Sequence, residues 1–202
     1  MTFPARVIRR LHRDFQSAAA LWRLKKFIWT DAVLLRKFSI GEGTRTQVPL
    51  RSEGEGTLRI GQNNSFGYRL TTMLGSGEIL LQARDANAVI EIGDENTFNN
   101  NISIIANERI VIGSGCQIGD LVAIYDCDFH EINPATRNRS HGPTKPVHIG
   151  NNVWLGSRVI VLKGVVIGDN SVIAAASVVT KSIPANCIAA GCPVDIIRSI
   201  GQ

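Results

Sequence analysis

Residues 149–184 read IGNNVW, LGSRVI, VLKGVV, IGDNSV, IAAASV and VTKSIP, which are six consecutive hexads. The first position of every hexad is aliphatic, and the fifth is small or β-branched. A helix repeats about every 3.6 residues and a strand about every two, so neither produces this period. A prism-shaped parallel β-helix does, because each hexad forms one flat side and three sides close a coil. The aliphatic positions then point inward; they are Ile149, Leu155, Val161, Ile167, Ile173 and Val179.

The composition is consistent with such a narrow core. The 202 residues are 44% hydrophobic and 19% charged, which is enough apolar content for an ordered interior. No apolar run approaches the roughly 18 residues of a membrane span, and we expect no secretory signal because arginines interrupt the N-terminus. Plain thiols without a zinc-ligand pattern favour a reducing cytoplasm. The cysteines are Cys116, at an inward hexad position, Cys127, Cys187 and Cys192.

Residues 1–38 concentrate the positive charge of the chain. They hold nine Lys or Arg residues against Asp14 and Asp31, and apolar residues recur among them at helical spacing. The pattern predicts a short, basic, amphipathic α-helical segment. One interpretation is a cap on the open end of the solenoid or against a neighbouring subunit. The other is peripheral contact with an anionic membrane through Trp22, Phe27, Ile28 and Trp29. No nucleic-acid recognition motif follows.

Between Ser39 and His130 the repeat continues less regularly. Ile-Gly pairs begin at Ile40, Ile60, Ile92, Ile112 and Ile149, so their separations are 20, 32, 20 and 37 residues. A bare coil of three hexads needs about 18 residues, so the shorter separations indicate a coil with a small bulge. The longer ones indicate either a coil with an extra loop or two coils. We therefore predict one β-helix domain over 39–202, with about seven coils ending near residue 190.

One segment breaks the hexads sharply. Residues 131–146 are almost without apolar side chains, and His130 stands immediately before them in DCDFHEI. An insertion must leave the prism at a corner, and functional residues often lie on such loops. A lone histidine is usually a solvated turn residue, but this position favours a functional role for His130. We predict an active-site loop at 131–146.

The run from DCDFHEINPATRN through KPVHIGNNVWLGSRVIVLKGVVIGDNSVIAAASVVTKSIPANCIAAGCPVDIIR resembles the hexapeptide-repeat acetyltransferases. It is most similar to their galactoside and maltose acetyltransferase branch, with its polysaccharide O-acetyltransferase relatives. The similarity covers about residues 99–200, roughly half of the chain. The resemblance implies a left-handed parallel β-helix, a homotrimer, and acetyl-CoA bound between neighbouring subunits.

The resemblance also implies roles for individual residues. His130 matches the general base, and an imidazole can take the acceptor proton near neutral pH. Asp126, Asp128 or Glu131 is expected to orient its ring, and the spacing does not choose among them. A backbone N–H near Gly156–Ser157 is the expected oxyanion donor. The positions matching the reacting end and the CoA contacts are Asn99, Trp154, Ser157, Ala175, Thr180, Lys181 and Arg198.

Two residues depart from the pattern of the sugar-specific enzymes. Asp195 stands where those enzymes usually carry Arg, which removes one charge facing the CoA phosphates. Asn107 stands where they place an Asp near the acceptor. We therefore expect an acceptor other than a simple galactoside or maltose.

The leading hypothesis is an acetyl-CoA-dependent acyltransferase that acetylates a saccharide hydroxyl in capsule, O-antigen or exopolysaccharide synthesis, in the cytoplasm or at the inner membrane face. N-acetylation of a nucleotide-linked amino sugar and acetylation of a xenobiotic are alternatives. A zinc hydratase on the same solenoid needs three histidines at fixed positions, often with two of them five apart. His130, His141 and His148 are 11 and 7 apart, so we predict no metal. A non-catalytic scaffold would require a buried His130.

Overall fold

A computed structural model describes residues 5–69, 71 and 76–201. The first element of the described residues is an α-helix, α1 (Ala5–Thr30), and a short 3₁₀ helix (Ala32–Leu34) links it to the first strand. Twenty strands follow in the described residues, beginning at Lys37. The N-terminal segment is thus one helix, and the β-structure starts two residues before the predicted boundary at residue 39.

Successive strands pass in turn through three sheets, which we call A, B and C. Sheet A has six parallel strands: β1 (Lys37–Ile40), β4 (Thr57–Ile60), β7 (Val89–Ile92), β10 (Arg109–Ile112), β13 (Val147–Ile149) and β16 (Val166–Ile167). Sheet C also has six: β3 (Leu50–Glu53), β6 (Ile79–Ala83), β9 (Ile102–Ala106), β12 (Ala123–Tyr125), β15 (Ile160–Val161) and β18 (Val178–Val179).

Sheet B has eight strands and ends in a hairpin. The strands are β2 (Arg45–Thr46), β5 (Ser65–Phe66), β8 (Thr97–Phe98), β11 (Gln117–Ile118), β14 (Trp154–Leu155), β17 (Val172–Ile173), β19 (Cys187–Gly191) and β20 (Val194–Ser199). All three sheets are parallel except for the last pair, β19 and β20. The repeated passage A, B, C makes each turn of the chain one coil, as in a three-sided parallel β-helix. The sheets fit the left-handed form that the family resemblance implies.

The Ile-Gly pairs mark equivalent positions of successive coils. Ile40 pairs with Ile60, Ile60 with Ile92, and Ile92 with Ile112, and Ile112 pairs with Ile149. Each separation, including 32 and 37 residues, is therefore one coil, and the extra residues form loops after β5 and β12. The alternative of two coils in the longer separations is wrong. Residues 70 and 72–75 of the first loop lie outside the described residues.

The interior confirms the hexad assignment. The six aliphatic first positions of residues 149–184 are all 0% exposed, and every fifth position is buried as well. Cys116, predicted to point inward, is also fully buried. Complete burial of a Val, Leu or Ile side chain stabilises the fold by about 1.5–3 kcal/mol, so this stacked column is a main source of stability.

Asparagines turn the chain at several corners. Asn63, Asn101 and Asn152 have φ values of 54°, 58° and 52°, in the left-handed region that Asn tolerates better than most residues. Buried Asn64 and Asn96 also link coils, because Asn64 Oδ1 accepts the Asn96 N–H and Asn96 Oδ1 accepts the Cys116 N–H. Asparagine therefore serves both to turn the backbone at corners and to join successive coils by hydrogen bonds.

Sheets A and C each hold six strands in the described residues, so the chain forms six coils where about seven were predicted, and its C-terminal end is a hairpin. β19 continues sheet B beside β17, but β20 then folds back antiparallel on β19. Val194, at the start of β20, is fully buried. The hairpin places Asp195 and Arg198 beyond the sixth coil, where regular hexads would not put them.

At the other end, α1 packs against β2 and β3 of the first coil. Phe27 is only 1% exposed, and its ring meets that of Phe38 edge-on, with 5.7 Å between centroids. The interpretation of α1 as a cap therefore agrees with the structure. Phe27 belongs to the core, so its predicted place at a membrane surface is wrong. No helix in the described part of the chain is long and apolar enough to cross a bilayer.

Candidate active site

His130 lies on the loop that leaves the prism after β12, at the corner between sheets C and A. Two contacts hold the outgoing arm of the loop: the Cys127 thiol donates to Asn107 Oδ1 at 3.0 Å, and Asp128 pairs with Lys163 of the next coil. The returning arm is held where the Lys145 N–H donates to the Asp126 carbonyl at 2.9 Å. The loop is therefore fixed at its base to the coils on either side.

The exposed His130 ring is oriented by a backbone carbonyl. Its Nδ1 lies 3.3 Å from the carbonyl oxygen of Arg137, and the Glu131 N–H donates to the same oxygen at 3.3 Å. A carbonyl only accepts, so Nδ1 carries the proton in this contact and Nε2 is left as the acceptor. A neutral imidazole with a free Nε2 is the form that a general base requires.

The three carboxylates considered for this orienting role have other partners. Asp126 is fully buried and accepts the N–H groups of Asn107, Glu108 and Arg109 at 2.7–2.8 Å. Burial raises the pKa of Asp126, while these three hydrogen bonds act in the opposite direction. Asp128 pairs with Lys163, and Glu131 accepts from the Ser140 hydroxyl. The expectation of a carboxylate partner is therefore corrected to the Arg137 carbonyl.

The residue before His130 fixes where the loop turns. Phe129 has a φ of 65°, and its ring meets Tyr125 edge-on with 5.0 Å between centroids. The guanidinium of Arg84 lies 4.9 Å from the centroid of the same ring. On the returning arm, a Cβ placed at Gly142 would lie 2.4 Å from the His130 carbonyl oxygen, so only glycine allows this close approach.

Asn107 is tied into the same corner and has little open surface. It is 8% exposed, and its Nδ2 donates to Asp85 Oδ2 at 3.1 Å. His141 Nε2 lies 3.4 Å from that Asp85 oxygen. An aspartate at position 107 would therefore set two carboxylates against each other, which explains why this chain carries the amide here beside Asp85.

Three predicted cofactor residues lie along the corner between sheets B and C. The strand registers place Asn99 in the third coil, Ser157 in the fifth and Ala175 in the sixth. The turns are packed closely, because a Cβ at Gly156 would lie 2.6 Å from the Ala175 nitrogen. Ala175 is exposed and Ser157 is partly exposed, so this corner offers a narrow surface with small side chains.

The same corner carries the two backbone N–H groups, of Gly156 and Ser157, that were expected to stabilise the oxyanion. The Gly156 N–H already donates to the Ile173 carbonyl at 2.8 Å, within the ladder between coils. The adjacent Ser157 N–H is therefore the better candidate of the two.

Trp154 and Arg198 share the outer face of sheet B. Trp154 pairs with Val172, Val172 with Ile188, and Ile188 with Arg198, so three strand spacings separate them, about 14 Å. Trp154 is 56% exposed, and Arg198 is exposed as well. A flat aromatic ring and a cation thus stand on the face beside the Ser157 corner.

Thr180 and Lys181 lie elsewhere, at the corner between sheets C and A that also carries the His130 loop. Both are exposed, and Lys181 forms an ion pair with Asp195 of the C-terminal hairpin. The aspartate that replaces the expected arginine thus pairs with the predicted phosphate-binding lysine. Compared with the expected arginine, Asp195 removes one positive charge from this corner. It also neutralises the positive charge of Lys181.

The predicted residues therefore form two groups on one chain. Asn99, Trp154, Ser157, Ala175 and Arg198 lie on sheet B and its corner with sheet C, and His130, Thr180 and Lys181 lie beyond sheet C. The sequence reasoning did not identify the supporting residues of the His130 loop, which are not marked by any motif. These residues are Arg84, Asp85, Arg137, His141 and Gly142.

Within the described residues, no group of three or more His, Cys, Asp or Glu side chains is arranged to hold a metal ion. The three histidines considered for a hydratase are separated: His130 contacts Arg137, His141 contacts Asp85, and His148 is exposed on β13 of sheet A.

Comparison with known proteins gives consistent matches. A family profile described as "Bacterial transferase hexapeptide (six repeats)" matches residues 146–181. Galactoside O-acetyltransferase of Escherichia coli (strain K12) is 41% identical over 113 residues, which are 56% of this chain and 55% of that protein. The protein of the same name from Lactococcus lactis subsp. lactis (strain IL1403) is 44% identical over 104 residues, 52% of this chain and 50% of that protein.

A solved structure of galactoside acetyltransferase in complex with coenzyme A is also similar. It superimposes with a TM-score of 0.51 and 31% identity, over 79% of this chain and 66% of that one. The chain spans about half the length of the curated relatives that it matches.

Proposed function

Because this chain belongs to the hexapeptide-repeat transferase family, we propose that it is an O-acetyltransferase that moves an acetyl group from acetyl-CoA to a saccharide hydroxyl. The observation that carries the proposal is the exposed His130 ring, whose Nδ1–H faces the Arg137 carbonyl and whose Nε2 is left as a base. The names of the relatives, galactoside O-acetyltransferase, support the type of reaction and the class of acceptor.

His130 and the Ser157 N–H can together perform the acetyl transfer. Nε2 of His130 takes the proton of the acceptor hydroxyl, and the hydroxyl oxygen forms a bond to the thioester carbonyl carbon. The Ser157 N–H donates to the oxygen that becomes negative in that step. When the C–S bond breaks, the imidazolium returns its proton to the CoA sulfur, so no net proton is gained or lost.

We place this site between subunits of a left-handed β-helical homotrimer. On one chain, sheet C lies between the His130 corner and the corner that carries Asn99, Ser157 and Ala175. A second copy that brings its Ser157 corner against the His130 loop would complete the site. The small side chains of that corner suit an extended pantetheine arm, and Arg198 and Lys181 supply cations for phosphates.

The acceptor we propose is a saccharide of a capsule, O-antigen or exopolysaccharide pathway. The neighbourhood of His130 supports an acceptor other than a free galactoside. Asn107, with its side chain bound to Asp85 and Cys127, does not offer the carboxylate that the resemblance to sugar-specific enzymes led us to expect there.

The test uses the full chain with labelled acetyl-CoA and a panel of lipid-linked, nucleotide-linked and free saccharides. We expect label in an ester that alkaline hydroxylamine cleaves, and His130→Asn to lower kcat by about 10²–10⁴-fold while CoA binding is retained. His148→Asn, which changes an exposed histidine on sheet A, is the matched control and should keep full activity. Full activity in His130→Asn would refute the mechanism. Label in a hydroxylamine-resistant amide would instead identify N-acetylation of an amino sugar.

A further inference from the structure

The solvent side of α1 carries three large aromatic side chains that do not contribute to the core. Phe15, Trp22 and Trp29 are 69%, 63% and 79% exposed. They are seven residues apart, about two helical turns, so they form one stripe along the helix, which we call the outer stripe. Phe27, which is 1% exposed, faces the first coil on the opposite side. The helix is therefore apolar on two faces, and packing against the solenoid uses only one of them.

Cations flank the outer stripe. Lys25 and Lys26 are both exposed, and the Lys26 ammonium lies 5.5 Å from the centroid of the Trp22 ring. Beside Trp22, a cleft between α1 and β3 is lined by Arg23, Lys26 and Arg51 together with Asp31. Asp31 already pairs with Arg51 at 3.4 Å, so the cleft keeps a surplus of positive charge. The partner that complements this surface is anionic.

We propose that the outer stripe docks this protein on a lipid bilayer that contains anionic headgroups. Indole rings favour the boundary between acyl chains and headgroups, and neighbouring lysines are attracted to anionic lipids there. A second copy of the chain is the competing occupant. It would bring Lys25 and Lys26 near like charges in a symmetric contact, whereas anionic lipid neutralises them. The proposal is independent of the acetyl-transfer chemistry, because none of the α1 residues on which it rests is assigned to acetyl transfer.

The test measures insertion of the indoles directly. The chain has three tryptophans, so Trp154→Phe leaves only Trp22 and Trp29 as fluorophores. This variant is mixed with vesicles of phosphatidylcholine alone or with phosphatidylglycerol, with bromine atoms on the acyl chains. We expect strong quenching and co-sedimentation with the anionic vesicles only, and release as salt is raised through the range where the Debye length falls below about 8 Å.

Variants then separate the two contributions. Lys25→Glu/Lys26→Glu should weaken partitioning at least about 25-fold, because each cation near an anionic surface is worth about fivefold. Trp22→Ala/Trp29→Ala should weaken it about tenfold or more at constant charge. Tyr68→Ala, at an exposed aromatic residue outside α1, and Arg139→Glu, at an exposed cation on the His130 loop, should leave it unchanged.

Three results would overturn the proposal. These are no binding to anionic vesicles, equal binding to anionic and neutral vesicles, or vesicle binding that neither double variant weakens. A concentration-dependent self-association that Trp22→Ala/Trp29→Ala abolishes, without vesicle binding, would assign the stripe to a second copy. Acetyl transfer to a free saccharide should persist in Lys25→Glu/Lys26→Glu and in Trp22→Ala/Trp29→Ala, which separates this test from that of the proposed function.

Discussion

His130 Nδ1 faces the carbonyl oxygen of Arg137 at 3.3 Å, and both residues belong to the same loop. The base is therefore oriented by the conformation of the loop and not by a carboxylate on a rigid strand. Any change that shifts the backbone around residues 130–142 should alter the direction of Nε2. Catalysis and stability are separable here, because the loop lies outside the column of buried aliphatic residues.

Gly142→Ala tests this separation. The new Cβ would lie 2.4 Å from the His130 carbonyl oxygen, so the histidine must move. A displacement of about 1 Å can cost about 10²-fold, and we expect kcat to fall about 10–100-fold. The melting temperature should fall only about as much as in Gly115→Ala, because both alanines are strained at positive φ and the loop can shift without disturbing the buried column. Gly115→Ala is the matched control, since both glycines have a φ of +71° but nothing lies within 4 Å of a Cβ at Gly115. Equal losses in both variants would contradict a positioning role.

Asp126→Asn tests how the base of the loop is held. The buried carboxylate accepts three backbone N–H groups, and an asparagine offers one oxygen and points an NH₂ group at donors. We expect the free energy of unfolding in denaturant to fall by about 1–3 kcal/mol. Asp128→Asn removes a partly exposed pair with Lys163 and should cost less than about 1 kcal/mol. Similar costs for the two variants would show that the three hydrogen bonds are unimportant.

The sequence was most informative where equivalent positions of successive coils carry the same type of side chain. The period of six placed Ile149 to Val179 inside the prism, and the Ile-Gly pairs gave the register of the earlier coils correctly. It did not decide whether Ile60 and Ile92 are one coil or two apart. That answer depends on the loop after β5, whose residues do not repeat.

For the candidate site, the break in the hexads was enough to single out His130. The orienting Arg137 carbonyl was not predictable, because every residue has a carbonyl and no side-chain pattern marks the one that is used. The Lys181–Asp195 pair was also missed, because it depends on a hairpin that folds back on sheet B. Such contacts are set by the path of the backbone and not by the repeat.

Gly156→Ala tests the corner between sheets B and C. A Cβ there would lie 2.6 Å from the Ala175 nitrogen and 2.9 Å from its Cα, so two successive coils must separate. Because backbone atoms cannot move aside easily, we expect a loss of about 1–3 kcal/mol in the free energy of unfolding. CoA binding, measured by calorimetry, should weaken in parallel. Gly201→Ala, with nothing within 4 Å, should change neither quantity.

Asp195→Asn tests whether the ion pair with Asp195 keeps Lys181 from binding the CoA phosphates. Asp195 pairs with Lys181 on the surface, so its neutralisation frees the ammonium for an anionic ligand. We expect CoA to bind about two- to fivefold more tightly; the gain is modest because the exposed Lys181–Asp195 pair is weak. The affinity should also depend more steeply on salt, because salt screens the attraction between the freed ammonium and the phosphates. In a Lys181→Ala background the same substitution should give a clearly smaller gain. An equal gain in both backgrounds would mean that Asp195 repels the phosphates directly, and an unchanged affinity would place the nucleotide away from this corner.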